Sequence, residues 1–278
     1  DATWNVITGC SVISPGCTNC YAMRLAGTRL RNIPSRAGLT RDSKAGPVWN
    51  GSIRFNEEWL DQPLQWRRPR MIFVCAHGDL FADGVTDAML DRVFAVMALA
   101  PQHTFQVLTK RPERMRAYAS RAAGRIADTI IRMRRQRGDA DMVLVPLAHV
   151  TPGRAWWPLP NVWLGVSVED QTRADERIPV LLDTPAAVRW ISAEPLLGKI
   201  DFTAIDAEND RGFGEVDALK GIAYAGAAVK ATARLDWIVA GGESGHGARP
   251  MHPDWARGIR DQCAAAGTAF HFKQWGGW

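Results

Sequence analysis

Short runs of β-branched and aromatic residues alternate along the chain with longer stretches in which apolar residues recur at helical spacing. The short runs are typical of strands covered on both faces, as in a parallel sheet. The longer stretches predict amphipathic helices, and Pro101 and Gly267 stand where two of them should end. The predicted strands are Trp4–Thr8, Met71–Ala76, Thr104–Thr109, Val162–Val168, Ala187–Ala193, Leu235–Ala240 and Thr268–Lys273. The predicted helices are Tyr21–Leu30, Val85–Ala100, Gln171–Leu182 and Asp254–Ala266.

The alternation of strands and helices predicts βα units and therefore an α/β fold with a parallel sheet. A chain of 278 residues with this pattern fits a full or partial (β/α) barrel of the TIM type, formed as a single domain over 1–278. Three stretches interrupt the alternation and are interpreted as insertions, at about 32–55, 121–160 and 201–234. In the first of them, Asn50-Gly51 predicts a hairpin turn between two short apolar segments.

The ends of the predicted strands carry charged or hydrogen-bonding side chains. Chemistry in a parallel α/β barrel belongs at the carboxyl ends of its strands, so these positions are candidates for function. Strand ends are also polar simply because they are exposed. The complete set of polar strand ends is therefore stronger evidence for a functional site than any single residue in it. Gly241-Gly242 adds two adjacent glycines, which allow backbone amides to approach a ligand closely.

Three of the five cysteines, Cys10, Cys17 and Cys20, lie in one loop after the first predicted strand, with the spacing C-x6-C-x2-C. We call residues 9–21 the cysteine loop. An odd number of cysteines, clustered and without the pattern of a signal peptide, argues against a disulfide framework and favours ligation of a metal or cofactor. Three thiolates fit a four-iron cluster that keeps one iron open. A zinc site is the alternative, because C-x2-C is a common zinc half-site.

The cysteine loop resembles that of the radical S-adenosylmethionine (SAM) enzymes, which follows the first strand of a partial or complete barrel. The common spacing there is C-x3-C-x2-C, so the first gap is longer here, and Asn19 stands where an aromatic residue is usual. A closer resemblance, over nearly the whole chain, is to the three-cysteine-motif family of phages and bacteria, which is radical-SAM-like. The motifs that carry it include Thr8-Gly9-Cys10, Ser14-Pro15-Gly16-Cys17, Cys20-Tyr21-Ala22, Leu108-Thr109-Lys110-Arg111-Pro112, Ser192-Ala193-Glu194-Pro195, Gly241-Gly242-Glu243-Ser244-Gly245 and Phe272-Lys273-Gln274-Trp275-Gly276.

The resemblance implies a barrel of the radical SAM kind in which Cys10, Cys17 and Cys20 hold a [4Fe-4S] cluster. SAM would bind the open iron, and an electron from an external donor would cleave it to methionine and a 5′-deoxyadenosyl radical. Together with their positions at strand ends, the resemblance suggests the remaining site residues. The candidates for cofactor binding are Gly78, Asp79, Ser167, Glu169, Gly241, Gly242, Glu243 and Ser244, and those for catalysis, substrate binding or proton transfer are Lys110, Glu194, Lys273 and Gln274.

The charge of the chain is concentrated in one segment. Its formal net charge is +5, but residues 110–137 hold ten basic residues against Glu113 and Asp128, which gives +8 there and −3 elsewhere. Such a segment is either a footprint for a polyanion or a solvated helical face. With the phage association, the first interpretation suggests a nucleic acid or nucleotide substrate in DNA modification or repair, with Trp156-Trp157 as further contacts. The alternative is a non-catalytic iron–sulfur or zinc protein that binds nucleic acid or a partner.

The same sequence gives an expectation for location. No apolar run approaches the roughly 18 residues that cross a bilayer, and the first residues lack the basic and then apolar pattern of a signal peptide. We therefore expect no membrane segment and a cytoplasmic protein, in a bacterium or a phage-infected host. The two remaining cysteines, Cys75 and Cys263, lie within apolar patterns and are predicted to be core residues.

Overall fold

The central sheet has seven strands, and each is parallel to its neighbours. The computed structural model describes residues 2–136, 156–207 and 214–277. The strands lie side by side in chain order, and right-handed crossovers in one direction curl such a sheet into a partial barrel with edges at the first and last strand. This confirms the α/β fold and the partial barrel. The strands are β1 (Ala2–Trp4), β2 (Met71–Val74), β3 (Thr104–Thr109), β4 (Val162–Ser167), β5 (Val188–Ala193), β6 (Trp237–Gly241) and β7 (Ala269–Gln274).

The four predicted helices are present, and three further helices, α2, α4 and α5, were not predicted. Thr86 accepts a hydrogen bond from the Met89 amide at the start of α3, and Gly267 ends α7 in the left-handed conformation. The first predicted helix is shorter than expected, because Thr28 leaves the helical region directly after Gly27. The helices are α1 (Tyr21–Gly27), α2 (Gln62–Gln65), α3 (Asp87–Leu99), α4 (Pro112–Ala119), α5 (Ala123–Gln136), α6 (Gln171–Leu182) and α7 (Pro253–Ala266).

Two predictions near the amino-terminal end are wrong. The predicted strand Trp4–Thr8 is divided between β1 and a separate strand, Ile7–Thr8, which pairs antiparallel with Arg54–Phe55. Asn50-Gly51 does not join a hairpin, because the strand before it, Val48–Trp49, pairs with Thr40–Arg41 instead. An apolar pattern identifies a segment that can form a strand, but it does not specify the partner of that strand.

The three predicted insertions have different structures. The stretch 121–160 begins with α5, which packs against α3 and buries Ile126 and Ile130. Residues 137–155 of that stretch lie outside the described residues. The stretch 201–234 contains a four-stranded antiparallel sheet that shares its buried residues with the main core. Its strands are Ile205–Asp206, Glu215–Asp217, Ile222–Ala225 and Ala228–Ala231.

The core confirms the predictions for two cysteines. Cys75 and Cys263 are buried, as predicted. Trp156 and Trp157 are partly buried and pack against the main core, with the Trp157 indole donating to the Ala119 carbonyl at 3.0 Å. Their predicted contact with nucleic acid stays a prediction. None of the helices in the described ranges combines the length and the apolar content needed to span a bilayer.

Candidate functional site

The cysteine loop lies at the carboxyl edge of the sheet, where the parallel strands end. Its first residue, Gly9, donates from its amide to the His77 carbonyl at 3.0 Å and forms a parallel bridge with Gly78, which follows β2. The loop contains a short 3-10 helix, Pro15–Cys17, and Cys20 directly precedes α1. All three cysteines are free and half-buried. The start of the loop is therefore joined to the end of β2 rather than being part of an independent surface segment.

Arg111 and Asp79 hold the first part of the loop. Arg111 donates from Nη1 to Asp79 Oδ2 at 2.9 Å, and both side chains are buried. The same Nη1 lies 3.7 Å from Cys10 Sγ, while Nη2 bonds Ser11 Oγ. Asp79 also accepts from Thr109 Oγ1 at 2.8 Å. Burial raises the pKa of the Cys10 thiol to about 12, with Asp79 acting in the same direction and Arg111 opposing it.

Glu169 and Arg177 hold the middle of the loop. Glu169 is fully buried, and its Oε2 accepts from Arg177 Nη1 at 2.9 Å. Its Oε1 accepts from Ser14 Oγ in the cysteine loop. Gly16 lies so close to this carboxylate that an added Cβ would be 2.3 Å from Oε1. The buried ion pair therefore sets where the loop crosses the end of β4, and glycine is required at position 16 for that approach.

Glu243 and Arg249 hold the last part of the loop. Arg249 bonds both carboxylate oxygens of Glu243 and also donates from Nη2 to the Pro15 carbonyl at 3.0 Å. Asn19, between Cys17 and Cys20, donates to Glu243 Oε2 at 2.7 Å. Burial acts to raise the pKa of Glu243, but the hydrogen bonds from Arg249 and Asn19 outweigh it and leave the pKa below its ordinary value of 4.5. Asn19, which replaces the aromatic residue usual in the resembling family, has a clear structural role here.

The sequence identified Asp79, Glu169 and Glu243 as candidate site residues, but it did not show which arginines they would bind. Arg177 lies on α6 and Arg249 in the loop before α7, and no pattern in the sequence indicates which acid each would meet. The acids were predicted as cofactor ligands because they follow strands. In the structure, the oxygens of Glu169 and Glu243 are taken by protein donors that fix the cysteine loop, and Asp79 bonds Arg111 and Thr109.

The predicted catalytic residues form a second group along the same edge. Lys110 Nζ donates to Ser167 Oγ at 2.7 Å and lies 3.7 Å from Glu169 Oε1. Ser167 Oγ in turn donates to the Glu194 backbone carbonyl at 3.2 Å. The Glu194 carboxylate bonds Lys273 Nζ at 2.9 Å and Gln274 Nε2 at 3.1 Å. The structure thus brings Lys110, Ser167, Glu194, Lys273 and Gln274 into one connected row, although their roles stay predictions.

The predicted glycine turn packs against the segment that follows β7. Gly242 donates to the Gln274 carbonyl at 2.9 Å, and an added Cβ would lie 1.9 Å from the Trp275 carbonyl oxygen. Gly242 therefore has a structural reason to be glycine in addition to its predicted role in cofactor binding. Gly241 is buried and accepts a hydrogen bond from the Leu196 amide at 2.9 Å, whereas Ser244 is exposed.

The donor set of the loop suits thiolate ligation. Three free cysteines on one held loop offer three soft sulfur ligands, which is the number that leaves one iron of a four-iron cluster open. Over the described residues, no three side chains of His, Cys, Asp or Glu are grouped so as to hold a metal ion, and the three cysteines are no exception. Ligands of a single zinc ion converge on one point, whereas the thiolates of a four-iron cluster each bind a different iron. Both the cluster and the zinc alternative therefore stay predictions.

The basic segment 110–137 is largely neutralised by the fold. Four of its arginines form ion pairs with carboxylates from outside the segment, and Arg134 is buried. The pairs are Arg111–Asp79, Arg114–Asp87, Arg116–Asp183 and Arg125–Asp91. Arg121, Arg132 and Arg135 are exposed on the outer side. The excess charge of the segment in the sequence therefore overstates the positive surface that it presents.

The fold and the site define a class, an α/β partial barrel with a three-thiol loop held at the carboxyl edge of its parallel sheet. The chain belongs to the family described as "Protein of unknown function (DUF5131)", which matches residues 1–278. No curated protein matches the chain. No solved structure matches it either.

Proposed function

We propose that this protein is a radical SAM enzyme of the partial-barrel kind, in which Cys10, Cys17 and Cys20 hold a [4Fe-4S] cluster. The observation that carries the proposal is the cysteine loop itself. Three thiols that form no disulfide are held at the carboxyl edge by three acid–arginine pairs from three different strand ends. The Asp79–Arg111 and Glu169–Arg177 pairs are buried, and in the third pair Glu243 is buried while Arg249 is 34% exposed. Burying such charges has a desolvation cost, which suits a loop whose thiols must keep a defined geometry.

When bound, the cluster and SAM would supply one-electron chemistry and a 5′-deoxyadenosyl radical. The residues of the chain would bind and orient the reactants. Arg111 donates toward the Cys10 sulfur, and Gly16 and Asn19 fix the path of the loop on either side of Cys17. The row from Lys110 to Gln274 lines the same edge and offers ammonium, hydroxyl and amide donors to a substrate. An external electron donor completes the proposal, and the protein would work in the cytoplasm.

Anaerobic reconstitution with iron and sulfide tests the ligand set. The wild-type protein should bind about four iron and four sulfide per chain, and should form 5′-deoxyadenosine when SAM and dithionite are added. Cys17→Ala should lose most of the iron and all of this product, because one of three ligands is missing. Cys263→Ala is the matched control, since Cys263 is a buried residue of α7 outside the cysteine loop, and its iron content should equal that of the wild type.

Two outcomes would overturn the proposal. Full iron and sulfide in Cys17→Ala would show that the loop does not ligate the cluster. One zinc per chain that is lost in the loop variants, with no iron uptake under any condition, would identify the zinc-binding alternative instead.

For the substrate, we propose a nucleic acid or nucleotide. The supporting observation is the exposed set of Arg121, Arg132 and Arg135 on and just before α5, which remains after the neutralised arginines are set aside. Arginine suits phosphate contacts because it stays charged and donates from several nitrogens.

A further inference from the structure

Arg36, Arg54 and His77 form a second group of basic side chains, beside the start of the cysteine loop. Arg36 is 8% exposed and follows Ser35 in the segment after α1. Arg54 lies on the strand that pairs with Ile7–Thr8, and its Nη2 donates to the Ala37 carbonyl at 3.0 Å, next to Arg36. His77 follows β2 and receives the hydrogen bond from Gly9 at its carbonyl. We call these three residues the basic cluster.

Among the residues that the structure describes, the basic cluster has no acidic partner. Neither arginine forms an ion pair with any described residue, in contrast to Arg111, Arg177 and Arg249. The Arg36 guanidinium stacks on Trp59, 5.3 Å from the ring centroid, and Nη1 bonds Ser35 Oγ, but neither contact neutralises its charge. Burial lowers the pKa of Arg36, and burial together with the charge of Arg36 lowers the pKa of His77. A buried positive charge without a counter-charge is unfavourable in a folded protein.

Each member of the cluster also has a buried nitrogen without a hydrogen-bond partner. These atoms are Arg36 Nε, Arg54 Nη1 and His77 Nδ1. Buried polar atoms in native proteins are nearly always hydrogen-bonded, so three orphan nitrogens on three neighbouring elements need an explanation. An anion bound among them would satisfy the nitrogens and the charge together. Because the donors come from three separate segments, they suit a tetrahedral oxyanion better than a planar carboxylate, which one guanidinium can bind alone.

We propose that Arg36, Arg54 and His77 bind a phosphate group beside the cysteine loop. This phosphate site does not depend on the proposed iron–sulfur cluster, because none of its three donor residues is a cysteine of the loop. It nevertheless borders the loop, because the His77 ring meets the Tyr21 ring edge-on at 6.0 Å and Tyr21 directly follows Cys20. A phosphate held here would place the rest of its molecule near the thiols. The phosphate belongs either to a nucleotide or to free inorganic phosphate, and the test separates these sources.

Titration calorimetry with inorganic phosphate, in a buffer without phosphate or sulfate, tests the site on the protein without reconstituted iron. The wild type should bind one phosphate per chain. Arg54→Gln and Arg36→Gln should each weaken binding about tenfold or more, because a charge-assisted hydrogen bond is lost. Arg31→Gln is the matched control, because Arg31 lies in the same segment with its side chain 59% exposed and paired with Asp42, and it should bind as the wild type does.

Three further measurements make the result decisive. Tighter binding of adenosine monophosphate than of inorganic phosphate would assign the site to a nucleotide, and equal binding would assign it to free phosphate. Acetate that binds as tightly as phosphate would overturn the choice of a tetrahedral anion. If Arg36→Gln does not fold, as judged by circular dichroism, Arg54→Gln carries the test alone. Absence of phosphate binding at millimolar concentration, or equal loss in Arg31→Gln, would refute the site.

Discussion

Glu169 illustrates how one residue can be essential to a site without being exposed to a ligand. Its side chain is fully buried, and its two oxygens meet Arg177 on one side and Ser14 of the cysteine loop on the other. Arg177 is itself only 5% exposed and also donates to the Ser167 carbonyl at 2.7 Å. A change at Glu169 therefore affects the position of the loop through Ser14 and leaves the guanidinium of Arg177 without its counter-charge.

We predict that Glu169→Gln destabilises the fold by about 3–5 kcal/mol, because it leaves a buried arginine without its counter-charge. Glu176→Gln is the control, since Glu176 is exposed on α6 and forms its ion pair with Arg173, and its effect should stay within about 0.5 kcal/mol. Urea unfolding followed by circular dichroism measures both. A loss of less than about 1 kcal/mol in Glu169→Gln would contradict the account of the pair.

At the scale of one element, α7 has one glycine inside the helix and one directly after it, and the two positions have opposite requirements. Gly258 lies inside the helix, with no atom within 4 Å of an added Cβ. Gly267 follows the helix at φ 69° and ψ 23°, and its amide donates to the last-turn carbonyls of Ala264 and Cys263. Glycine lowers helix stability at the first position because of its backbone entropy, whereas at the second it is the residue that adopts the left-handed conformation without strain.

Alanine should therefore have opposite effects at the two positions. Gly258→Ala should raise the free energy of unfolding by about 0.5–1 kcal/mol, and Gly267→Ala should lower it by about 1 kcal/mol. Each variant serves as the control for the other, because both add one methyl group to α7 in open space. Thermal melts should separate the two midpoints by several degrees, and the same sign for both would contradict the assigned end of the helix.

At the scale of the whole molecule, the pairing of charges in the fold indicates where an anion can bind better than the summed charge of a sequence segment does. The segment 110–137 has the highest charge density in the sequence, yet Asp79, Asp87, Asp91 and Asp183 reach it from other elements and neutralise much of it. The basic cluster is unremarkable in the sequence, yet it has no acidic partner in the described structure. Anion binding is thus argued from charges left unpaired by the fold.

If α5 contacts DNA, replacing exposed arginines should weaken binding uniformly over sequences. We predict that Arg132→Glu combined with Arg135→Glu lowers the affinity for DNA and makes its dependence on salt less steep. With fewer phosphate contacts, fewer counterions are released on binding. Arg134 is left unchanged because it is buried, so that folding is preserved. Arg257→Glu with Arg260→Glu on α7 is the control of equal charge change. Unchanged binding in the α5 variant, measured by fluorescence anisotropy over a salt series, would contradict a nucleic-acid interface there.

The sequence was sufficient for the order of the main elements but not for the contacts between distant segments. Strands such as Thr104–Thr109 and the helix Gln171–Leu182 have the predicted bounds, because a local apolar period encodes them. The direction of the chain shows which end of each predicted strand is its carboxyl end. The acids at positions 79, 169, 194 and 243 could therefore be identified as candidates from the sequence. Their partners were not, because an ion pair such as Glu243–Arg249 or Asp79–Arg111 depends on three-dimensional packing that leaves no period in the chain.

The three acid–arginine pairs also have a consequence for how related chains can diverge. Loss of the acid at position 169 would leave the buried guanidinium of Arg177 without its counter-charge. Substitutions at positions 169 and 177 should therefore occur together in related chains. The same coupling applies to positions 79 and 111 and to positions 243 and 249. Covariation between these pairs, across relatives that keep the loop thiols, would record an inherited link between the scaffold and the cysteine loop.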